Sequence, residues 1–387
     1  MLNSFSMRQE KITYRHLYIH VPFCVRKCMY CDFASGTAPV KLRKRCVRAI
    51  AKEIEINAER LTPETIYIGG GTPSHLALNE IQIIFRALNR LKTESLREFT
   101  VEVNPESVTP ARLRLYKKSG AGRISIGVQS FDDNVLKFLG RVHTSAKAYK
   151  AIQMCRKAGF NNLSLDLIFG IPGTDLTHWE KTVQTAISIG PPHISLYGLT
   201  YERGTPLNRL RRLGKIKPVA EETELAMYRH ACRAMKKSGY RQYEISNFAK
   251  PGFESVHNAA YWRYKPFLGA GPAAASFDGV RRWKNIRDVG KYCSRIEEGR
   301  PPRGKIEKLR GRRRAGEVMM LALRERRGIT CAEFEERTGL EIERVYGSII
   351  ASFCGQGLLA FSRGRLRLTG RGLAVADTVI SEFIGEL

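Results

Sequence analysis

No stretch of the 387-residue sequence contains the roughly 18 consecutive apolar residues that a membrane-spanning helix needs. The N-terminal residues MLNSFSMRQEKITYRH also lack the apolar core of a secretory signal. The nine cysteines, an odd number at uneven spacings, argue against a disulfide framework. We therefore expect a cytoplasmic protein with reduced cysteines and no transmembrane segment.

Acidic residues are scarce relative to basic ones. The chain has 65 lysines and arginines against 37 aspartates and glutamates, a formal net charge of +28. The surplus is spread along the chain, and its densest cluster is LRGRRRAG, which contains Arg310, Arg312, Arg313 and Arg314. An even surplus is more typical of a generally basic protein than of a nucleic-acid-binding patch, so no nucleic-acid partner is expected. A basic surface would attract an anionic substrate.

Apolar, β-rich runs alternate with helical patterns from residue 14 to about 247. Six runs are strand candidates: LYIHV (17–21), TIYIG (65–69), FTVEV (99–103), RISIGV (123–128), LSLDLIF (163–169) and HISLYGL (193–199). Helical segments follow them, among them 76–91, 109–119, 144–158, 175–189 and 220–238. Repeated βα units predict a parallel sheet, either open and doubly wound or a partial (β/α) barrel. In both, function lies at the carboxyl ends of the strands.

The pattern changes near residue 250. The stretch HNAAYWRYKPFLGAGPAAASF (257–277) is rich in glycine, proline and aromatic residues, which is typical of loops and short strands. Further on, helical stretches at 313–327, 331–338 and 341–355 precede GLLAFSRGRLRLT, which predicts a hairpin turning on Arg363-Gly364. Helices followed by a hairpin are typical of a winged-helix module.

Three cysteines lie close together just after the first predicted strand. The stretch CVRKCMYC places Cys24, Cys28 and Cys31 at spacings of four and three residues, with two basic residues that favour thiolates. Structural zinc would need a fourth ligand, His20 or another cysteine, and zinc motifs usually carry a second C-x₂-C pair. An iron–sulfur cluster fits better, because three thiolates would leave one iron open for a substrate or cofactor.

This C-x₃-C-x₂-C spacing, with Tyr30 before the last cysteine, resembles the signature of radical S-adenosylmethionine enzymes. In that superfamily three thiolates hold a [4Fe-4S] cluster, and the methionine amino and carboxylate groups chelate the fourth iron. One electron from the cluster cleaves the sulfonium to give a 5′-deoxyadenosyl radical. A second expected element is YIGGGTPS (67–74), whose glycines let the backbone approach a ligand closely. The resemblance thus implies a [4Fe-4S] cluster and S-adenosylmethionine as cofactors.

The resemblance narrows to one branch, the oxygen-independent coproporphyrinogen III oxidases and HemW-type heme chaperones. The matching pieces run in order across 17–207: LYIHVPFCVRKCMYCDF, YIGGGTPS, EVNPES, ISIGVQSF, LGRVHT, LDLIFGIPG and LYGLTYERGTPL. HNAAYW and the C-terminal module extend the match to nearly the whole chain. The expected fold is α/β: a partial (β/α)6 barrel domain at 1–250, a connecting segment at 251–309 that handles heme or substrate, and a smaller, mainly helical, winged-helix-like domain at 310–387.

Carried over residue by residue, the resemblance implies nine positions around S-adenosylmethionine: Tyr18, Tyr30, Gly70, Gly71, Thr72, Glu102, Gln129, Arg141 and Asp166. Their chemistry suits this ligand. Carboxylates such as Glu102 and Asp166 can accept hydrogen bonds from ribose hydroxyls or from an ammonium group. The guanidinium of Arg141 presents a fork that fits a carboxylate.

Three features favour the chaperones over the oxidases. The oxidases carry a further cysteine where this chain has Phe33, and a longer extension than the 23 residues that precede Cys24. HNAAYW resembles the HN-x-x-YW motif of the HemW-type chaperones. That resemblance implies heme as cargo, with His257 as an axial ligand and with Tyr261 and Trp262 packed on the macrocycle.

Two functions therefore stay open. A heme chaperone would bind heme and transfer it to an acceptor protein. An oxidase would decarboxylate the propionates of coproporphyrinogen III to give protoporphyrinogen IX. An electron donor protein is expected for either, and the propionates of both tetrapyrroles suit a basic surface. A nucleic-acid-binding winged helix is a weaker third interpretation that depends on the hairpin GRLRL alone.

Overall fold

The computed structural model describes residues 12–385, and a nine-stranded sheet forms their centre. Six parallel strands lie side by side in chain order: β1 (Tyr14–Val21), β2 (Leu61–Gly70), β3 (Glu98–Val103), β4 (Arg123–Gln129), β5 (Asn162–Phe169) and β6 (His193–Gly198). A doubly wound sheet would reverse its strand order at a switch point, whereas this order is unbroken. The partial (β/α)6 barrel is therefore confirmed, as are its six predicted strands.

In the described part of the chain, six α-helices connect these strands and two more follow β6. They are α1 (Val40–Ile56), α2 (Leu78–Leu88), α3 (Pro110–Lys118), α4 (Asp133–Phe138), α5 (Ser145–Lys157), α6 (Leu176–Ile189), α7 (Pro206–Arg212) and α8 (Glu221–Lys237). The five predicted helical segments are confirmed to within about three residues at each end. Thr144 shows why the start of α5 was predictable, because its hydroxyl accepts the amide N–H of Lys147 as an N-cap. Helix α1 was not among the predicted segments.

Short strands extend the sheet at both edges. On one side β9 (Leu268–Ala270) pairs in parallel with β1. On the other side β8 (Asn247–Ala249) pairs antiparallel with β6, and β7 (Arg241–Gln242) pairs with β8. The connecting segment therefore contributes a strand to the barrel sheet, and the domain boundaries at 250 and 309 stay predictions.

The prediction of loop and short strands for HNAAYWRYKPFLGAGPAAASF is wrong in its first six residues. These residues lie in helix α9 (Val256–Trp262). Ser255 begins it, because its hydroxyl accepts the amide N–H of Asn258 at 3.3 Å. The remainder does contain short strands, β9 and β10 (Ala275–Phe277).

A small antiparallel sheet follows. It consists of β10, β11 (Arg281–Asn285) and β12 (Arg303–Lys308), with α10 (Val289–Glu297) between the last two strands. Helix α10 packs on α1, so this sheet is attached to the outside of the barrel near β1. It forms one wall of a cleft described below.

The C-terminal module has its own apolar core. Its elements are α11 (Gly311–Ala322), β13 (Ile329–Thr330), α12 (Cys331–Thr338), α13 (Ile342–Gly355), β14 (Leu359–Ser362), β15 (Arg365–Leu368), α14 (Gly370–Leu373) and α15 (Ala376–Ile384). The hairpin turns on Arg363 and Gly364, both with positive φ, as a type I′ turn requires. The predicted hairpin and the helices at 331–338 and 341–355 are confirmed, whereas the helix predicted at 313–327 runs from Gly311 to Ala322 and so ends five residues earlier. Helix α15 was not anticipated. Among the described helices, none is long and apolar enough to cross a bilayer.

Candidate functional site

The loop after β1 carries the three clustered cysteines, and it is closed by its own backbone. The amide of Cys24 donates to the carbonyl oxygen of Gly36 at 3.0 Å, and the amide of Gly36 donates to that of Pro22 at 3.0 Å. Neighbouring elements hold the tip, because Met29 donates to the carbonyl of Leu139 and accepts from the amide of Leu207. We call residues 22–36 the cluster loop.

All three thiols of the cluster loop are free and half-buried. The hydroxyl of Thr72 donates to Sγ of Cys24 at 3.5 Å, and the guanidinium of Arg141 donates to Sγ of Cys28 at the same distance. Burial raises the pKa of the Cys31 thiol. Two of the three sulfurs therefore accept a hydrogen bond from a neighbouring element of the barrel.

The thiols do not converge on one point. Within residues 12–385, no three cysteine, histidine or carboxylate side chains lie close enough together to hold a single metal ion. They open instead onto one cavity of about 430 Å³, which we call the cluster pocket. This arrangement fits a multi-iron cluster, whose thiolates bind different irons, better than the tetrahedral zinc site considered from the sequence.

The glycine turn after β2 forms one wall of the cluster pocket. The amide of Gly71 donates to the carbonyl of Val21 at 2.8 Å, and that of Thr72 donates to the carbonyl of Phe23 at 2.8 Å. A Cβ on Gly71 would lie 2.7 Å from the carbonyl oxygen of Phe23, so a side chain would separate the turn from the cluster loop. Gly70 has φ of +106°, which favours glycine.

Two buried carboxylates face the cluster pocket from β3 and β5. Glu102 accepts hydrogen bonds from the hydroxyl of Tyr67 at 2.6 Å and from the amide of Gly70 at 3.2 Å. Burial raises the pKa of Glu102 to about 7. Asp166 accepts from the hydroxyl of Ser125 at 3.2 Å, and burial also raises its pKa. Two acids with raised pKa values in one cavity are typical of a functional site. A ligand that carries a positive charge or hydroxyl groups would suit them.

A β-bulge directs β4 into the same cavity. The pairing of β4 with β5 shifts between Gly127 and Gln129, and Gln129 has φ of +67°, which is uncommon for a residue other than glycine. Arg141 lies beside it and donates to Oδ1 of Asn104 at 2.7 Å and to the carbonyl of Gly127 at 2.8 Å. Nε of Arg141 is buried without a partner among the described residues. A buried donor without an acceptor indicates room for an anionic group.

The structure brings most of the predicted residues together. The cluster pocket is lined by the three cysteines and by eight of the nine positions expected to surround S-adenosylmethionine, namely Tyr30, Gly70, Gly71, Thr72, Glu102, Gln129, Arg141 and Asp166. Asn104 and Ser125 also line it and were missed. Asn104 could have been found, because it lies within the quoted motif EVNPES.

Tyr18 and His257 lie elsewhere. Tyr18 shares a hydrogen bond of 2.9 Å with Nδ1 of His20 and lines a larger neighbouring cavity. His257 is buried, and both of its ring nitrogens are engaged, Nδ1 with the hydroxyl of Thr65 and Nε2 with that of Tyr261, each at 2.7 Å. Burial lowers the pKa of His257 to about 3, so the ring is neutral. In this conformation His257 has no free nitrogen for iron.

The larger cavity, of about 1210 Å³, lies between the barrel edge, the small sheet and the C-terminal module. We call it the aromatic cleft, because eight aromatic side chains line it: Tyr18, Phe33, Tyr261, Trp262, Tyr264, Phe267, Phe277 and Trp283. Five basic side chains also line it, Lys265, Arg282, Lys284, Arg287 and Lys305. Asp32 and Phe33 line both cavities, so the cluster loop forms a shared wall.

Comparison with protein families and with known proteins agrees with this geometry. Residues 18–186 match the Radical SAM superfamily, and residues 310–375 match the HemN C-terminal domain. The heme chaperone HemW of Bacillus subtilis (strain 168) is 35% identical over 375 residues, 96% of this chain and 99% of that protein. The radical S-adenosyl methionine domain-containing protein 1, mitochondrial, of Danio rerio is 32% identical over 390 residues, 96% and 87% of the two chains.

A solved structure shares the fold. The coproporphyrinogen III oxidase HemN from Escherichia coli, a radical SAM enzyme, superposes with a TM-score of 0.84 over 98% of this chain and 92% of that chain. The two sequences are 19% identical, so this likeness shows the fold alone.

Proposed function

This chain belongs to the radical SAM superfamily and, within it, to the family of the heme chaperone HemW, and from that premise we propose that it binds heme and passes it to an acceptor protein. The superfamily implies a [4Fe-4S] cluster and S-adenosylmethionine. We propose Cys24, Cys28 and Cys31 as the cluster ligands. The rest of the cluster pocket would hold S-adenosylmethionine.

The observation that carries this proposal is the aromatic cleft beside the cluster pocket. Heme is a flat apolar plate with two carboxylates, and a site for it needs aromatic walls and cations at one edge. The cleft is lined by aromatic and by basic side chains, and its volume of about 1210 Å³ exceeds that of many small-molecule sites. Trp262 and Trp283 would pack on the macrocycle, where large aromatic side chains bury much apolar surface.

Unpaired cations are available for the heme propionates. Arg282 already bonds to Glu307 and Glu317, which leaves it little capacity for another anion. The side chains of Lys265, Lys284, Arg287 and Lys305 are exposed and form no ion pair with any residue from 12 to 385. A carboxylate at these lysines would form charge-assisted hydrogen bonds, which are roughly twice as strong as neutral ones.

We propose that His257 acts on heme through Tyr261 rather than as a ligand in this conformation. Thr65 lies between His16 and His257, with its hydroxyl 2.9 Å and 2.7 Å from their Nδ1 atoms, and His257 in turn bonds to the Tyr261 hydroxyl. This chain of hydrogen bonds fixes the ring of Tyr261 at the cleft wall. Iron ligation by His257 would first have to break one of these bonds.

Within the cluster pocket, the protein groups would bind and orient the cofactor. When bound, a four-iron cluster supplies single electrons at low potential. The carboxylates of Glu102 and Asp166 would accept hydrogen bonds from the ammonium and hydroxyl groups of S-adenosylmethionine. Arg141 would face a carboxylate with the Nε–H that has no partner.

The proposal is tested by offering two tetrapyrroles in parallel. The cluster is reconstituted anaerobically, S-adenosylmethionine and a reductant are added, and either heme or coproporphyrinogen III is supplied. We expect heme to bind at one per chain and coproporphyrinogen III to be recovered unchanged. Conversion of coproporphyrinogen III to protoporphyrinogen IX with release of carbon dioxide would show that the protein is an oxidase and would contradict the proposed chaperone function.

A pair of substitutions tests the role of His257. His257→Ala should weaken heme binding, and Tyr261→Phe should weaken it by a similar factor, because both break the same hydrogen bond. The heme absorption spectrum is the deciding measurement. Direct ligation predicts that only His257→Ala shifts the spectrum, whereas positioning through Tyr261 predicts the same shift in both variants.

A further inference from the structure

A dense patch of unpaired positive charge lies next to the cluster loop. The segment RLRRLGKIK (209–217) contains five basic residues and no acidic one. All five are exposed, and we call them the α7 patch: Arg209, Arg211, Arg212, Lys215 and Lys217. None forms an ion pair within the described part of the chain, residues 12–385. Like charges so close together repel, so this arrangement is costly unless a partner neutralises it.

The α7 patch is held rigidly against the cluster loop. Thr205 caps α7 by accepting the amide of Asn208 at 3.2 Å, and Lys215 closes its end by donating to the carbonyl of Leu210 at 3.0 Å. On the inner side Leu207 is fully buried, and its amide donates to the carbonyl of Met29 at 2.9 Å. Met29 directly follows Cys28, a proposed cluster ligand, so the α7 patch adjoins the redox site.

Apolar side chains at the same place complete a docking surface. Leu213 is 58% exposed and lies in the middle of the α7 patch, and Val25 is 49% exposed on the cluster loop. Arg26 and Lys27 extend the positive charge along that loop. A few apolar side chains surrounded by charges of one sign are typical of surfaces that bind a partner of the opposite charge transiently.

We propose that the α7 patch and residues 25–27 form the docking surface for an acidic one-electron carrier, a small flavoprotein or iron–sulfur protein. This inference depends on the proposed cluster. One electron would pass from the reduced carrier to the cluster, so the carrier is oxidised by one electron and no bond is made or broken. A nucleic acid fits less well, because the α7 patch and residues 25–27 contain basic and aliphatic side chains but no aromatic ring on which a base could stack.

The test uses reduced flavodoxin, a small acidic flavoprotein, as the probe and the full-length reconstituted protein. Arg209→Glu/Arg212→Glu reverses two charges of the α7 patch without touching the cluster pocket. Arg312→Glu/Arg313→Glu is the matched control, because it makes the same charge change at exposed positions of the C-terminal module. We measure the Kd of the flavodoxin complex by calorimetry at low and high salt, and the rate of cluster reduction from visible absorbance.

The α7 variant should bind flavodoxin at least about tenfold more weakly at low salt and reduce its cluster correspondingly more slowly. The control should stay within about twofold of the original protein, and high salt should narrow the difference. Excess dithionite should bleach the cluster to the same extent in all three proteins, which shows that the cluster is intact. No visible absorbance in the original protein would instead contradict the cluster assignment.

Equal weakening in both variants would overturn the proposal, because net charge rather than this surface would then govern binding. Unchanged flavodoxin binding in the α7 variant would also overturn it. If that variant instead lost binding to vesicles of phosphatidylglycerol, or to RNA, while keeping flavodoxin affinity, the α7 patch would belong to a membrane or nucleic-acid interface.

Discussion

The cluster pocket and the aromatic cleft share a wall at Asp32 and Phe33, yet they are built in opposite ways. Backbone turns, carboxylates and thiols at the carboxyl ends of neighbouring strands line the pocket. Side chains from the barrel edge, the small sheet and the C-terminal module line the cleft, and they are mainly aromatic and basic. The pocket suits a small polar ligand in one orientation, whereas the cleft suits a large flat one.

The two regions recognise their ligands by different means. Glu102 and Asp166 are buried and hydrogen-bonded before any ligand is present, so the cluster pocket is preorganised. In the cleft, the four basic side chains available for propionates are exposed and unpaired among the described residues. Such a site can release a bound ligand readily, as a protein that hands its cargo on must.

The largest expected effect comes from removing a thiol. Cys28→Ser should abolish the visible absorbance of the reconstituted cluster, because a hydroxyl is a poor ligand for iron. Cys354→Ser is the matched control, since this half-buried cysteine lies in α13 outside both cavities. If the two regions are separate, Cys28→Ser should still bind heme. An unchanged cluster spectrum in Cys28→Ser would contradict the ligand assignment.

Loss of a pocket carboxylate comes next. Asp166→Asn keeps the shape of the side chain but removes its charge, and we expect the affinity for S-adenosylmethionine to fall about tenfold or more. Equilibrium dialysis with labelled S-adenosylmethionine measures this directly. Heme affinity should stay unchanged. Unchanged affinity for S-adenosylmethionine in Asp166→Asn would show that Asp166 does not bind this ligand.

A smaller effect is expected from the cleft. Trp283→Ala should weaken heme binding about tenfold, because it removes one aromatic wall, and should leave S-adenosylmethionine binding intact. Tyr149→Ala is the control, since it removes an exposed aromatic ring from α5, away from the cleft. Heme titration followed by absorbance compares the two. Equal losses would mean that heme binds the basic surface without using the cleft.

The smallest effect is a pH dependence confined to the cluster pocket. Burial raises the pKa of Glu102 from 4.5 to about 7, so this carboxyl is neutral below that pH and charged above it. The affinity for S-adenosylmethionine should rise severalfold as pH increases through about 7. In Glu102→Gln the affinity for S-adenosylmethionine should no longer depend on pH in this range. Heme affinity should be independent of pH in both proteins. Equilibrium dialysis and heme titration at several pH values measure the two affinities.

The same shift affects stability with the opposite sign. Between pH 4.5 and about 7 the unfolded chain loses the Glu102 proton while the folded protein retains it. The contribution of Glu102 to the free energy of unfolding therefore falls as pH rises across this window. The melting temperature of the original protein and of Glu102→Gln is measured at several pH values between 4.5 and 7. If the melting temperatures of the two proteins changed equally with pH, the raised pKa of Glu102 would be contradicted.

The two regions also differ in how far the sequence predicts them. The motifs EVNPES and LDLIFGIPG marked Glu102 and Asp166, and the parallel pairing of β3, β4 and β5 brings both carboxylates to one cavity, so these side chains were predictable neighbours. The thiols of Cys24, Cys28 and Cys31 were found because their spacing is rare. The bulge that turns Gln129 inward was not visible, since it depends on the pairing of β4 with β5.

The aromatic cleft could not be derived in this way. Trp262 and Trp283 come from separate segments, and only tertiary packing brings them to one cavity. His257 illustrates the limit, because its motif indicated heme but not that Thr65, 192 residues away, engages Nδ1 of the ring. The capping role of Ser255, which begins the helix that contains HNAAYW, is by contrast a local signal present in the sequence.

We propose that S-adenosylmethionine and heme occupy two adjoining but separate sites. Equilibrium binding of labelled S-adenosylmethionine to the reconstituted protein, measured with and without saturating heme, tests it most directly. We predict one S-adenosylmethionine and one heme bound together on each chain. Displacement of S-adenosylmethionine by heme, in proportion to the heme bound, would show that the two compete for one site and would contradict this account.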